Sequence, residues 1–237
     1  MDTPRKHPRI KSLKIRSLLV KGLKEGIVAE AGLIAHGRGE AFDYLMGEKT
    51  TPEALKAVKA AVYALQQASN PVISVNGNSA ALQAREIVEL SNTLDAKIEV
   101  NLFHKSQERE EKIKNKLLNH GADKVYGVGE DASERIPGLE SNRGKVDPLG
   151  IGSSDVVLVM LEDGDRTEAL KALGKKVIAV DLNPLSRTAQ KADITIVDNI
   201  RRALPELTKA AKKKQKKERY NNKENLKQTI KKIRAGI

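Results

Sequence analysis

The chain has 237 residues, a net charge of +12, 39% hydrophobic and 31% charged residues, and neither cysteine nor tryptophan. This length is sufficient to bury a sizeable core, which excludes a peptide hormone or a small disulfide scaffold. The lack of cysteine excludes disulfides, cysteine nucleophiles and thiolate metal sites, and no apolar run approaches the roughly 18 residues that a membrane span requires.

Residues 1–70 have a mostly helical pattern, and we expect them to form a helical cap that belongs to the same domain as the rest of the chain. The clearest predicted helices run from Ser12 to Glu25 and from Pro52 to Ser69, with a glycine-rich insertion between them. In that insertion Arg38 stands between two glycines, which leave the backbone open to a ligand, and an arginine fork binds phosphate or carboxylate. The alternative is an ordinary turn with a solvated arginine.

Residues 71–208 alternate between short β-branched runs and helical patterns. Because helix-length crossovers return the chain to the same edge of a sheet, these strands are expected to pair in parallel. The pattern predicts a doubly wound, Rossmann-like α/β fold with about six strands. Residues 129–154 lack clear periodicity, and a loop of that length is usually functional or mobile. The predicted strands are 71–75, 97–103, 124–128, 155–161, 177–181 and 194–197; the predicted helices are 80–94, 107–119, 165–173 and one from 200 onward that can continue into the tail.

The basic tail, residues 209–237, carries +10, and residues 1–24 carry +7, which leaves about −5 on the rest of the chain. Leu226, Ile230 and Ile233 give the tail a thin apolar stripe, so it can form a basic helix that packs on its own or a partner subunit. Contact with RNA or a membrane is the alternative. We expect neither RNA nor a membrane to be a partner. We also expect a cytoplasmic location and a tail that is dispensable for chemistry.

In an open parallel sheet, ligands bind beyond the carboxyl ends of the strands. Asp181 ends an apolar strand, where a carboxylate often binds ribose hydroxyls, although an ordinary turn at Asp181-Leu-Asn-Pro184 is equally compatible with the pattern. No dinucleotide fingerprint or Walker loop is present, and the four histidines have no metal-site spacing. Polar residues that follow the predicted strands are Asn76, Gly77, Asn78, His104, Lys105, Glu162, Asp163, Asp165, Asp181, Asn183, Ser186, Arg187, Thr188, Asp198 and Asn199.

Several longer motifs resemble those of archaeal phosphopantothenate synthetase, also called 4-phosphopantoate–β-alanine ligase. The likeness runs from about residue 7 to residue 207 and leaves the basic tail outside. The motifs are His7-Pro-Arg9, Ser12-Leu-Lys-Ile-Arg16, Gly32-Leu-Ile-Ala-His-Gly-Arg-Gly-Glu-Ala-Phe-Asp-Tyr-Leu45, Gly47-Glu-Lys-Thr50, Asp181-Leu-Asn-Pro-Leu-Ser-Arg-Thr-Ala189 and Ala192-Asp-Ile-Thr-Ile-Val-Asp-Asn199.

The resemblance implies a homodimeric ligase of coenzyme A biosynthesis with a Rossmann-like core. The implied reaction joins the carboxylate of 4-phosphopantoate to the amine of β-alanine and converts ATP to AMP and diphosphate. By position within the matching motifs, the implied ATP contacts are Arg16, Arg38, Asp181, Leu182, Asn183, Arg187, Thr188, Asn199 and Ile200, with Ser186 and Asp198 as further candidates.

This chemistry requires positive charge, because a triphosphate, a phosphate monoester and a carboxylate must come together. Mg²⁺ is the expected companion of ATP, and no protein metal site is predicted. Glu40, Asp163 or His104 could take the ammonium proton of β-alanine, and the sequence does not choose among them. The candidate catalytic residues are His36, Arg38, His104 and Lys105, with Arg16 and Arg187 as further cations.

Two other functions remain open at this point. One is a different nucleotide-dependent transferase on the same sheet. The other is a nucleotide-sensing or RNA-associated binding protein whose tail contacts anionic partners. The fold alone does not distinguish these from a ligase.

Overall fold

A computed structural model describes residues 9–235, so His7 and Pro8 of the first motif lie outside the described residues. The helices in this range are α1 (Ile10–Lys24), α2 (Glu30–Leu45), α3 (Pro52–Gln66), α4 (Gly77–Leu94), α5 (Gln107–Leu118), α6 (Gly164–Ala172), α7 (Arg187–Lys191), α8 (Ile200–Ala211) and α9 (Asn222–Ala235). The strands are β1 (Pro71–Val75), β2 (Lys97–Val100), β3 (Val125–Tyr126), β4 (Glu134–Arg135), β5 (Lys145–Val146), β6 (Val156–Met160), β7 (Lys176–Val180) and β8 (Ile194–Ile196). Within residues 9–235, no helix is long and apolar enough to cross a membrane.

Six strands form one parallel sheet in the order β3-β2-β1-β6-β7-β8. The chain adds β2 and β3 on one side of β1, and later adds β7 and β8 on the far side of β6. The strand order therefore reverses between the two central strands, β1 and β6. Strand alternation places Val72 and Ile73 on opposite faces of β1, each in a different apolar cluster. The predicted six-stranded Rossmann-like α/β fold is confirmed.

Helices cover both faces of the sheet. The larger apolar cluster includes Leu19 of α1 and Val58 of α3 together with residues of α4, α5 and α8. On the opposite face, Leu170 of α6 packs with Ile136 and Ile151, which belong to the long segment without periodicity. The proposed division of the chain into 1–70, 71–208 and 209–237 stays a proposal.

Several element boundaries differ from the predicted ones because side chains cap the helices. Asn76 is the N-cap of α4: its side chain accepts from the Ser79 backbone N–H at 3.0 Å, and the Ser79 hydroxyl accepts from the Asn76 N–H at 3.0 Å. Residues 77–79, which precede the predicted helix 80–94, therefore form the first turn of α4. Ser186 similarly caps the short helix α7, which periodicity did not reveal. The third strand is shorter than predicted and contains only Val125 and Tyr126.

Residues 129–154 are ordered by contacts to β2 and the residue just after it. Glu99 is fully buried, and its carboxylate accepts from the backbone N–H groups of Asp147 (3.3 Å) and Ile151 (2.5 Å). The Asn101 side chain donates to the carbonyls of Arg143 (3.2 Å) and Lys145 (3.0 Å). The segment also contains the two-stranded antiparallel hairpin of β4 and β5. Side chains from the sheet thus supply the hydrogen bonds that regular structure would otherwise provide.

The glycine-rich insertion contains a helix, α2. We had expected either a backbone open to a ligand or an ordinary turn there. Each glycine inside a helix costs about 1 kcal/mol relative to alanine, so tertiary contacts must hold this segment. Arg202 of α8 contacts the Asp43 carboxylate at 2.5 Å, and the Asn78 side chain donates to the Gly32 carbonyl at 2.8 Å. These contacts anchor both ends of α2.

The basic tail does not continue α8, which ends at Ala211. It forms a separate helix, α9, which docks on the sheet edge. The Asn222 side chain donates to the carbonyls of Ala189 and Ala192, both at 2.9 Å, and accepts from the Thr195 N–H at 2.8 Å. Leu226 is buried. The expected basic helix therefore packs on its own subunit, where α9 covers β8, and the predicted continuation of the helix from residue 200 into the tail is wrong.

Cutting the chain after Lys212 is therefore expected to destabilise it. The truncation exposes apolar surface around Leu226 and removes the hydrogen bonds of Asn222, which together should lower the free energy of unfolding by about 2–4 kcal/mol. Urea denaturation measures this change. The matched control is Lys214→Gln with Lys217→Gln, which removes charge from exposed positions and leaves α9 in place. Equal stability of the truncated and full-length chains would contradict a docked tail.

Candidate active site

A cleft of about 480 Å³ opens at the carboxyl ends of the parallel strands. Segments that follow β1, β2, β6 and β7 line it, and α2 forms one wall. The strand order reverses between β1 and β6 at the centre of this edge, which is where open α/β sheets bind ligands. Polar and charged residues in its lining are His36, Arg38, Asn76, Asn78, His104, Arg109, Arg143, Glu162, Asp163, Asp181, Asn183 and Ser186.

Asp181 lies directly after β7, on the wall of the cleft, as the sequence indicated. Its carboxylate accepts from the Asn183 backbone N–H at 2.9 Å and from the Ser186 hydroxyl at 2.5 Å. Burial raises the pKa of Asp181 above its ordinary value, against the opposing effect of these hydrogen bonds. Both carboxylate oxygens are thereby fixed in place, and each keeps a lone pair that can accept from a sugar hydroxyl.

Glu162, two residues beyond β6, lies between two buried arginines. The Nη1 atom of Arg143 is 2.7 Å from one carboxylate oxygen, and Arg166 contacts the other. Arg166 is fully buried and also donates to the Ser74 hydroxyl at 3.1 Å. Burial works to raise the pKa of Glu162, but the two guanidinium groups hold it below its ordinary value. This Arg143-Glu162-Arg166 network is charged and forms the floor of the cleft.

The pKa of Asp163 shifts in the opposite direction from that of Glu162. Its carboxylate caps α6 by accepting from the Arg166 N–H at 2.8 Å, and it lies 3.2 Å from Nε of Arg143. Burial and the charge of Glu162 raise the pKa of Asp163. A cleft-lining carboxylate with a raised pKa is a better proton acceptor than an ordinary surface aspartate.

Two candidate catalytic residues lie on α2. His36 is buried, and neither ring nitrogen has a hydrogen-bond partner among residues 9–235. Burial lowers the pKa of His36 despite the nearby carboxylates of Glu40 and Asp43, so the imidazole is neutral near pH 7. Arg38 is exposed at the cleft wall. The backbone on either side of it is helical and not open to a ligand, so any anion would meet the guanidinium itself.

A second group of candidates follows β2. His104 is exposed in the cleft lining, next to the exposed ring of Phe103. Lys105 does not line the cleft, and its ammonium is 2.9 Å from the buried Glu110 carboxylate. Arg109, in the first turn of α5, lines the cleft and donates to the His104 carbonyl at 2.6 Å. The structure therefore places His104 at the cleft and pairs Lys105 with Glu110 of α5.

Several of the residues that the resemblance assigns to ATP lie outside the cleft lining, among them Arg16, Arg187 and Thr188. The guanidinium of Arg16 in α1 lies 3.1–3.2 Å from the carboxylate oxygens of Glu40. The exposed Arg187 side chain contacts carboxylates of α6, and the buried Thr188 hydroxyl donates to the Glu162 carbonyl at 2.8 Å. Arg187 and Thr188 directly follow the cleft residue Ser186, so they border the site, whereas Arg16 pairs with Glu40 on α2.

Asp198, Asn199 and Ile200 form a separate group at the start of α8. The Asp198 carboxylate accepts from the Thr50 hydroxyl at 2.7 Å and contacts Arg202 at 2.6 Å. The Asn199 side chain donates to Asp43 at 3.2 Å, and Ile200 is buried. These contacts tie α8 to the end of α2. Leu182, by contrast, lines the cleft as expected and lies beside Gly39.

Sequence reasoning missed Arg109 and Arg143, which both line the cleft. Arg143 belongs to the segment without periodicity, so no pattern indicated which way it faces. A signal existed for Arg109, because the first turn of a helix after a parallel strand also lies at the carboxyl edge of the sheet.

The described residues contain no cluster suited to a protein-bound metal ion. Within residues 9–235, no three His, Cys, Asp or Glu side chains are grouped to hold one. The cleft carboxylates of Glu162, Asp163 and Asp181 are already engaged with arginines, a hydroxyl or backbone N–H groups. Mg²⁺ is commonly held by substrate phosphates and one or two carboxylates, so these engaged side chains do not form a protein metal site on their own.

Comparison with known proteins identifies a family and close relatives. The phosphopantothenate/pantothenate synthetase family matches residues 53–236. The 4-phosphopantoate–β-alanine ligase of Thermococcus onnurineus is 54% identical over 209 residues, which is 88% of this chain and 80% of that protein. The protein of the same name from Methanosarcina mazei is 49% identical over 245 residues, 100% of this chain and 96% of its own length. The family match extends over the basic tail, which the motifs alone had left outside the resemblance.

Proposed function

Because this chain belongs to the phosphopantothenate/pantothenate synthetase family, we propose that it condenses 4-phosphopantoate with β-alanine, with ATP converted to AMP and diphosphate. The product is 4-phosphopantothenate, and the step belongs to coenzyme A biosynthesis. The observation that carries the proposal is the cleft at the strand-order reversal, in which Asp181 and the cationic side chains of Arg38, Arg109 and Arg143 line one cavity.

The first half-reaction activates the carboxylate of 4-phosphopantoate. A carboxylate oxygen attacks the α-phosphorus of ATP, the bond from that phosphorus to the β-phosphate oxygen breaks, and diphosphate leaves. Asp181 holds the ribose through its fixed carboxylate, and Arg38 and His36 face the phosphates from α2. A guanidinium placed against the α-phosphate stabilises the charge that develops there, and the neutral His36 can donate or accept a hydrogen bond.

The second half-reaction forms the amide. The amine of β-alanine attacks the acyl carbon, the bond to the adenylate oxygen breaks, and AMP leaves. The ammonium form must first lose a proton. Glu40 is held by Ser12 and Arg16 and does not line the cleft, whereas Asp163 and His104 do. Asp163, whose pKa burial raises, is the better placed of these two to accept the proton.

Mg²⁺ enters the proposal as the companion of the nucleotide. The cleft carboxylates are largely committed to arginine and backbone partners, so the phosphates of ATP would supply most of its ligands. The residues of this chain then bind and orient the two substrates.

The proposed function is tested by incubating the protein with 4-phosphopantoate, β-alanine and ATP, and by measuring the products. We expect 4-phosphopantothenate, AMP and diphosphate in equal amounts. Labelled diphosphate should exchange into ATP when 4-phosphopantoate is present without β-alanine, which isolates the first half-reaction. Formation of ADP would indicate an acyl-phosphate route. No condensation product would instead favour another nucleotide-dependent transferase or a nucleotide-binding protein.

Replacing Asp181 by alanine is expected to weaken ATP binding by about ten- to a hundredfold. The loss of a hydrogen bond from a ribose hydroxyl to a carboxylate is worth about 1.5–3 kcal/mol. Titration calorimetry with ATP measures this change. The matched control is Asp155→Ala, which removes a carboxylate that accepts backbone N–H bonds of 2.8 and 2.9 Å at the opposite end of the sheet. Equal affinities for ATP in the Asp181 and Asp155 variants would remove Asp181 from the nucleotide site.

We also propose that the protein is a cytoplasmic homodimer. Large apolar side chains are exposed on the N-terminal helices, including Ile34 (69%) and Tyr44 (63%) of α2. Exposed apolar side chains of this kind are candidates for burial against a second copy. Multi-angle light scattering tests this proposal directly.

A further inference from the structure

The end of the cleft beside β2 has cationic groups that the nucleotide does not need. Arg109 projects from α5 at this end, and the Arg143 backbone is held beside β2 while its guanidinium extends toward Glu162 and Asp163 after β6. His104 lies beside them. None of these three follows β7, where Asp181 marks the nucleotide end.

The two arginines differ in how far their charge is neutralised. Arg143 is 7% exposed, and Glu162 and Asp163 lie 2.7 and 3.2 Å from its guanidinium, so much of its charge is balanced. Arg109 donates to a neutral carbonyl, and its Nε is buried without a hydrogen-bond partner among residues 9–235. Buried guanidinium donors are normally satisfied. Arg109 thus supplies net positive charge and an unused donor at this end of the cleft.

The sheet order separates this group from the nucleotide end. β2 and β7 stand three positions apart in the order β2-β1-β6-β7. Adjacent strands are about 4.8 Å apart, so the two ends of the cleft are about 14 Å apart. A nucleotide with its ribose at Asp181 would bring its α-phosphate toward the centre of the sheet, between β1 and β6. If the β- and γ-phosphates turn toward Arg38 on α2, Arg109 is left for an anion of a second molecule that meets the α-phosphate near the centre.

We propose that Arg109 and Arg143 form the subsite for the phosphate monoester of 4-phosphopantoate, an assignment that rests on the proposed function. In that substrate the phosphate lies at the opposite end from the reacting carboxylate. With the phosphate on Arg109 beside β2, the carboxylate points toward the α-phosphate of ATP. Guanidinium forks bind phosphate through charge-assisted hydrogen bonds. The subsite thereby selects the phosphorylated acid over unphosphorylated pantoate.

The surrounding structure fixes one half of this subsite. Asn101 donates to the Arg143 carbonyl, and Glu99 accepts from the N–H groups of Asp147 and Ile151. Arg143 therefore cannot move without breaking buried hydrogen bonds. Arg109 stands on a helix capped by Ser106, which accepts from the Arg109 N–H at 3.3 Å. A preorganised pair of cations of this kind loses little conformational freedom when the phosphate binds.

The test compares 4-phosphopantoate with pantoate in Arg109→Met and Arg143→Lys. We expect Arg109→Met to reduce kcat/KM for 4-phosphopantoate by about ten- to a hundredfold, the loss of a charge-assisted hydrogen bond. The value for pantoate and the KM for ATP should change little, so the preference for the phosphorylated acid falls. Arg143→Lys should reduce the same preference less, because it keeps the charge and loses the fork. Calorimetric binding of 4-phosphopantoate gives a readout besides activity.

The matched control is Lys112→Met, which removes a cation one turn further along α5, where Lys112 pairs with Glu108 at 2.6 Å. It should leave the preference unchanged. Arg109→Lys covers the possibility that the methionine variant does not fold, and it should give an intermediate loss. A folded Arg109 variant that keeps the full preference overturns this subsite while the ligase function stands. A wild-type protein that forms no 4-phosphopantothenate overturns the proposed function itself.

Discussion

Glu162→Gln is expected to lower the free energy of unfolding by about 3–5 kcal/mol, the usual cost of removing one partner from a buried ion pair. Arg166 is fully buried and Arg143 is 7% exposed, and Glu162 contacts both. Glutamine keeps the size of the side chain but removes its charge. Two buried guanidinium groups are then left without a shared counter-ion, and Arg166 cannot reach water without opening the floor of the cleft.

Urea denaturation at pH 7 measures this loss. The control is Glu168→Gln, because Glu168 also pairs with an arginine, Arg187 at 2.9 Å, but on the protein surface. Surface ion pairs contribute little to stability, so the midpoint of the control should be almost unchanged. If both variants unfold at the wild-type denaturant concentration, the network does not stabilise the fold as its burial implies.

Arg38→Ala is expected to reduce kcat by about a hundred- to a thousandfold, the usual effect of removing one group that stabilises transition-state charge. Arg38 lines the cleft, and its exposed side chain has little to do with stability. Arg38→Lys should give a smaller loss, because lysine keeps the charge but not the planar fork. Both variants should unfold like the wild type.

Diphosphate–ATP exchange shows which half-reaction Arg38 serves. Since the guanidinium is proposed to face the α-phosphate, the exchange rate should fall together with overall turnover. The control is Arg85→Ala, which removes an exposed arginine from α4, and it should leave exchange unchanged. An Arg38→Ala enzyme with normal kcat and KM would show that this residue is only a solvated helix position.

The sequence by itself determined the sheet and the edge at which ligands bind. Short β-branched runs and helix spacing are local properties, so strands such as 71–75 and 156–160 were recognisable without their neighbours. Parallel pairing followed from crossover length, and the carboxyl edge followed from parallel pairing. The position of Asp181 at this edge followed from the same reasoning, and the structure shows that it lines the cleft. The long motifs also identified the family, because they specify side chains at fixed spacing and not only a pattern of hydrophobicity.

Only the tertiary structure decided which polar side chains meet. Ser186 and Arg187 are neighbours in sequence, yet Ser186 lines the cleft and Arg187 turns to carboxylates on α6. The glycines of α2 argue against a helix locally, and contacts from Asn78 and Arg202 hold it nevertheless. Arg143 reaches the cleft because Asn101, 42 positions earlier in the chain, binds its carbonyl. Such contacts join residues far apart in sequence, and their energies come from packing and burial, which no local pattern records.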